Sequence, residues 1–420
     1  MKNPYSYKVY LRIEGALNLF SQMAWTVWTV YLVQVAHLDP FQLVLVGSVL
    51  EATAFLFEVP TGVVADTFSR RLSVIIGFFL TGAGIALTGA TTNFAVILIA
   101  QVIAGIGFTF SSGAFQAWIA DEVGEEHLPQ VFLRATQVIR VGALVGIAAS
   151  VTLGSIQLYL PLVMGGGLMM ALAVYLVFVM PETGFKPAPR GERTTWQAMG
   201  HTFREGVAAV RVQPRLLTFL AIAVFLGMTS EGFDRLGDAH LLTNFKFPDL
   251  AGLQPIVWFG VIDAGGMLLG IATAEIARRR LSLHRREVVV RVLVVFTTLR
   301  IISVVGFAFV GNFWLALGFL WSRTVFISLS RPLYDAWLTQ SIDSRVRATV
   351  LSMSAQADAI GQIAGGPGIG WVGKSVSLRA AIALSGLLLT PVLALYTRAH
   401  RQGGSQITTE LPAKDGVAVS

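Results

Sequence analysis

Four ionisable residues, Glu231, Asp234, Arg235 and Asp238, sit inside one long apolar stretch at spacing i, i+3, i+4 and i+7. On a helix that spacing makes a single face, and Glu231 can pair with Arg235 one turn on. Other apolar stretches carry isolated charges of the same kind. Glu51 and Glu58 lie two turns apart, and Asp263, Arg300, Arg323 and Asp358 each stand alone among aliphatic neighbours. A carboxylate withdrawn from water holds a proton more readily and can exchange it near neutrality. A guanidinium in the same place can hold an anionic group. Aromatic rings beside a carboxylate suit a lipophilic cation, and Trp25 and Phe110 are the rings expected there. Chemistry of other kinds is missing from the chain. It has no cysteine and no P-loop, GxSxG or HExxH motif, and its six histidines are scattered. No nucleophile–base pair can be assembled at one depth, so neither enzyme activity nor a cofactor or metal is expected.

These residues need elements that can hold charge among so much apolar surface. Only 13% of the chain is charged and 54% is hydrophobic, with a mean hydropathy of +0.68. Soluble domains carry about 25% charge, so lipid is the solvent this composition suits. A helix crosses the hydrocarbon with about 20 apolar residues. Twelve runs qualify: 9–36, 41–65, 72–91, 94–120, 134–156, 158–180, 216–243, 251–277, 288–310, 313–340, 348–372 and 376–398. They are continuous rather than alternating, which points to helices and not barrel strands. At about 1.5 Å per residue, Gln22, Glu51, Glu231, Asp263, Arg300, Arg323 and Asp358 all fall within about one turn of their run's midpoint. That is one polar layer. Burying ionisable groups at such depth costs several kcal/mol, which makes each of them a functional candidate.

With twelve spans and the N-terminus inside, 23 of the 31 Lys and Arg residues fall in inner segments and three in outer ones. The positive-inside rule then puts both termini in the cytoplasm, as expected of a multi-pass protein of the cell's inner membrane. The basic residues sit in short loops, so the net charge of +7 speaks for topology and not for nucleic acid. The longest polar interruption, 181–215, divides the chain into 1–180 and 216–400, with 401–420 expected as a disordered cytoplasmic tail. Within the interruption, 196–211 reads as an amphipathic helix on the inner surface.

The two halves resemble one another. D-T-F-S-R-R-L-S after the second run recurs as E-I-A-R-R-R-L-S after the eighth. Ala117-Trp118 recurs as Ala336-Trp337, and Arg134-Ala135-Thr136 as Arg347-Ala348-Thr349. An internal repeat of two six-span halves predicts an all-α integral membrane fold of twelve transmembrane helices in two pseudo-symmetric six-helix bundles, with a site at the midplane between them. Asp66 closes the inner end of the second run, where a carboxylate can cap a neighbouring helix. Arg70 and Arg71 can pair with Asp121 or Glu122, and the second copy repeats the acid and the base as Glu275 and Arg279.

The segment G-V-V-A-D-T-F-S-R-R, from Gly62 to Arg71, resembles the signature loop of the major facilitator superfamily, G-x-x-x-D-[RK]-x-G-[RK]-[RK]. Thr67 and Ser69 depart from it, and Gln101 stands where many members of the superfamily carry an arginine. The resemblance implies alternating access, with Asp66 against the eleventh span and Asp66, Arg70, Arg71, Asp121, Glu275 and Arg279 as the inner gate. It also implies that the first and seventh spans face each other across a central cavity, which Gln22 and Glu231 would both line. The acidic seventh span resembles the drug-efflux branch. The expected function is proton-coupled efflux of lipophilic or cationic small molecules by a monomer. The alternative is proton-coupled transport of a specific metabolite or lysolipid.

Overall fold

The structure, a computed structural model, describes residues 3–187, 214–249, 252, 254–280, 286–340, 342 and 347–404. Most of the expected linker, including 196–211, and the tail beyond 404 lie outside the described residues. The rest is helical: α1 (Pro4–Gln34), α2 (Pro40–Thr67), α3 (Arg70–Gly89), α4 (Phe94–Ser112), α5 (Ala114–Val123), α6 (Leu128–Gly154), α7 (Leu160–Val179), α8 (Pro214–Asn244), α9 (Ile256–Arg280), α10 (Arg286–Phe309), α11 (Phe313–Gln340), α12 (Arg347–Ser375), α13 (Leu378–Leu387) and α14 (Thr390–Gly404). Local chemistry starts several of them. Asn3, Asp39, Ser69, Asn93 and Ser377 accept from first-turn backbone N–H groups, and at Asp39 the bond is reciprocated by Gln42 in a capping box. Pro4 and Pro40 open α1 and α2, where a missing N–H costs nothing.

Ten segments among the described residues are long and apolar enough to cross a membrane. Two of them, Phe94–Val123 and Leu378–Gln402, each combine a pair of consecutive helices. The first pair breaks at Gly113. The helices α1 and α12 match the others in length but not in apolarity. Lys8, Arg12 and Glu14 fall in the first turns of α1, while Gln356, Asp358, Gln362 and a run of glycines populate α12.

Within α1–α7, α1 packs on α6 and α7, and α3 packs on α4 and α7. Within α8–α14, α8 packs on α12 and α10 on α11. The two groups meet mainly where α2 lies along α12, and also where α2 and α1 touch α8 and where α6 touches α9. The glycines of α12 explain how one helix serves both groups. A side chain at Gly361 would strike the backbone carbonyl of Val224 in α8. One at Gly370 would meet Phe41 and Val44 of α2. Small residues allow this backbone approach where lipid supplies no hydrophobic drive for helix association.

One end of the helix assembly is closed. Lys374 of α12 bridges to Asp39 before α2 at 2.8 Å, Gln254 donates to the carbonyl of Ser155 at 2.9 Å, and Val151 fills the space beside Gly260. Partial burial alone would push the Asp39 carboxyl up. Hydrogen bonding from Lys374 and the N–H of Gln42, with the charge of Lys374, outweighs it and holds Asp39 below the ordinary carboxylate range. The contribution of the pair is therefore complete above about pH 4 and is lost as pH falls through the lowered value. Both side chains are partly exposed, so Asp39→Asn, which keeps the cap, is expected to cost at most about 1 kcal/mol of stability at pH 7. Thermal unfolding at pH 7 and pH 3 checks this. The difference between variant and parent should shrink at the lower pH.

Candidate functional site

The other end is open. A cavity of about 620 Å³ runs from mid-depth toward the α2–α3 end of the assembly. Its floor carries Arg300 (α10), Arg323 (α11), Asp234 (α8) and Asp358 (α12), and the other group contributes Glu51, Glu58 and Phe108. Four of the seven mid-depth residues expected from spacing, Glu51, Arg300, Arg323 and Asp358, thus line one chamber, together with nearby Asp234. The side chain of Arg323 donates to Asp234 at 2.7 Å and stacks 3.9 Å over the ring of Phe233. Asp358 accepts from Gln362 at 2.8 Å, and Glu58 accepts from Gln356 at 3.0 Å across the two groups.

Glu231 is placed differently from expectation. It is 2% exposed and lines none of the cavities described here. Arg235 donates to it at 3.1 Å, and the pair sits against Gly47 of α2, where any side chain would overlap both groups. A methylene of Glu231 also lies against the position a side chain on Gly366 would take. Gln22 does not face Glu231. It reaches Asp263 of α9 at 3.4 Å, and Thr26 donates to the same carboxylate at 2.8 Å. Gln22 lines none of the cavities described here, because α1 meets α9 as well as α8 and the turn of α1 that carries Gln22 and Thr26 is turned toward α9. Thr26 was invisible as a partner because a threonine in an apolar run carries no charge signal.

Asp263 also lines a second chamber of about 310 Å³ with Asp238 and Trp321. The Arg323–Asp234 pair belongs to the walls of both chambers and stands between them. A third chamber of about 350 Å³ lies within α1–α7, lined by Trp25, Trp28, Phe78, Phe108, Phe115 and Glu14. Trp25 therefore lines this chamber and not the central cavity. Phe110 lines none of the three. Phe108 takes that place, since residues two apart on a helix point to nearly opposite sides. The aromatic composition of α4 could have suggested either ring.

At the open end, Arg70 pairs with Asp121 and, at 3.6 Å, with Asp66. Asp66 makes no bond to the described residues of α12 in this conformation. Arg71 departs from expectation. Its guanidinium donates to the carbonyl of Val177, and its backbone N–H donates to Glu182 at 2.9 Å. Glu182 also accepts from Ser69 at 2.7 Å, so it closes the N-terminus of α3. Glu122, the other proposed partner, is occupied by Asn3, Ser6, Thr183 and Gly184. Glu275 accepts from Arg279 along α9 at 2.5 Å. Polar residues 60 to 120 positions apart came together in ways that local spacing does not encode.

An all-helical membrane assembly with a charged chamber between two related halves defines a polytopic transporter. The family model of the Major Facilitator Superfamily matches residues 15–366, and the chain belongs to that family. It is 21% identical to YxaM of Bacillus subtilis (strain 168), an uncharacterized MFS-type transporter, over 91% of this chain and 92% of that one. Among solved structures it resembles a mutant of the nucleoside transporter NupG, with a TM-score of 0.77, 15% identity, and 94% and 99% of the two chains covered. A bacterial homolog of the human lysosomal transporter Spinster, in an inward-facing and unoccupied conformation, matches with a TM-score of 0.74 at 14% identity, covering 96% and 99%. The peptide transporter POT in complex with sulfate matches at 0.73 and 12%, covering 96% and 95%. The protein is a multi-pass membrane protein of a transporter family.

Proposed function

We propose that the chain is a proton-coupled secondary transporter that moves a charged small metabolite by alternating access. Its twelve crossings form two bundles, α1–α7 and α8–α14, with α4–α5 and α13–α14 each making one crossing. The termini are cytoplasmic and the membrane is the cell's inner one, so the conformation described is open inward, as the resemblance to an inward-facing Spinster homolog also supports. Asp66, Arg70, Arg71, Asp121, Glu275 and Arg279 form the inner gate, which is parted here.

One observation carries the coupling. Glu231, a buried carboxylate of α8, lies in the contact between the halves, against α2 and α12. Those surfaces must slide when the cavity changes sides. Protonating Glu231 would cancel its charge, release Arg235 and change the cost of that contact, and Glu51 nearby feels the same guanidinium. The charged cavity floor, with both signs present, favours a specific metabolite over a lipophilic cation.

The third chamber favours a second reading. Its aromatic walls and single carboxylate, Glu14, suit a lipophilic cation and drug efflux.

Electrophysiology of proteoliposomes on a solid support tests both. Nucleosides, dipeptides, amino acids, lysophospholipids and cationic dyes are applied with and without a pH gradient. At least one charged metabolite is expected to evoke a proton-dependent current that falls at least tenfold in Glu231→Gln, equivalent to roughly 1.4 kcal/mol. A current that ignores both Glu231→Gln and Glu51→Gln would sink the coupling proposal. Responses confined to cationic dyes, and lost in Glu14→Gln, would favour the second reading.

A further inference from the structure

Five carboxylates, Glu51, Glu58, Asp234, Asp335 and Asp358, line the central cavity, yet one buried guanidinium there forms no ion pair among the described residues. Arg300, at mid-depth of α10, lines this cavity and is 9% exposed. Its Nε is buried without a hydrogen-bond partner, and no carboxylate forms an ion pair with it among the described residues. Asp234 and Asp358 act on it through space, but each is engaged elsewhere, by Arg323 and by Gln362. Two further guanidiniums, Arg323 and Arg331, line the same chamber.

A buried guanidinium outside any ion pair is costly to fold around, and among the described residues it ties no helix to another through one. Replacing it by an apolar side chain would relieve the protein, so its presence requires a gain made outside the folded chain itself. The planar fork of a guanidinium matches the two oxygens of a carboxylate or phosphate.

We propose that Arg300 is the anion-recognising subsite of the central cavity, and that the transported molecule presents an oxyanion, carboxylate or phosphate, to it. The body of that molecule then extends toward Glu51, Glu58 and Asp358, where its hydrogen-bond donors or a cationic group find acceptors. This deepens the reading of the cavity as the transport site and rests on it.

Thermal unfolding of the purified full chain in detergent tests the subsite without any transport step. The probes are inorganic phosphate, benzoate and lysophosphatidylglycerol, each compared with chloride at equal ionic strength. Wild type is expected to gain several degrees with at least one of them. Arg300→Met is expected to lose that gain while its ligand-free midpoint rises by a few degrees, and Arg300→Lys is expected to keep part of the gain. A response to lysophosphatidylglycerol alone assigns the oxyanion to a lipid headgroup, and a response to phosphate or benzoate assigns it to a soluble molecule. The proposal is overturned if no oxyanion stabilises wild type, or if the gain persists in Arg300→Met. It is also overturned if Arg300→Met lowers the ligand-free midpoint while Arg300→Lys does not change the probe response, because the guanidinium would then be structural. Binding that survives while proton-driven currents fail would leave the subsite standing and reject the transport reading.

Discussion

Arg235→Met is expected to lower the thermal midpoint of the purified protein by about 4 °C. Glu231 is 2% exposed and its described hydrogen bond comes from Arg235 at 3.1 Å. Deleting one partner of a buried ion pair leaves the other charge uncompensated and costs about 3–5 kcal/mol. At about 2.1 cal/mol/K of unfolding entropy per residue, a chain of 420 residues shifts its midpoint by roughly 1 °C per kcal/mol. The companion variant Glu231→Gln keeps the shape against Gly47 and removes the stranded charge. Adding it to Arg235→Met should recover most of the loss. A double-mutant cycle by differential scanning fluorimetry measures the coupling. Additive effects of the two substitutions would mean that the pair is not a unit, and the place given to Glu231 in the contact between halves would lose its support.

Glu122→Ala should be the most damaging change at the open end, by about 3 kcal/mol. The carboxylate is 2% exposed and accepts from Asn3 at 2.9 Å, from Ser6 at 2.8 Å, from the N–H and hydroxyl of Thr183 at 2.6 and 2.8 Å, and from the N–H of Gly184 at 2.8 Å. It fastens the start of α1 and the segment after α7 to α5. Each hydrogen bond to an ionised group is worth about 1.5–3 kcal/mol, and part of that returns as exposed donors turn to water. Proteolysis is the sharper measurement. Cleavage near residues 180–187 should speed up in Glu122→Ala and remain near the parental rate in Arg71→Ala, whose guanidinium holds only a carbonyl. Equal rates in the two variants would show that Glu122 fastens nothing.

The layer of charge at mid-depth was legible because an ionisable residue in an apolar run is conspicuous, and because a constant helical rise converts position into depth. Depth does not specify azimuth. Phe108 and Phe110 share a depth to within about 3 Å, yet only Phe108 lines a cavity. Repeat and resemblance point both Gln22 and Glu231 at the central cavity, but each is claimed by another helix, Gln22 by Asp263 and Glu231 by the Gly47 face of α2.

What the amino-acid order determines alone is the solvent, the helices and the halves. Lipid tolerates only backbones that bond internally, so composition and run length suffice to read helices crossing a bilayer. The glycines at 361, 365, 366 and 370 likewise announce close packing before any partner is known. The tertiary structure decided which close packing: Gly361 went to α8, and Gly366 and Gly370 to α2. It also decided that Arg323 would find Asp234 while Arg300 forms no ion pair among the described residues. Those outcomes depend on how helices distant in sequence rotate and cross, which side-chain volumes settle only when all of them are packed together.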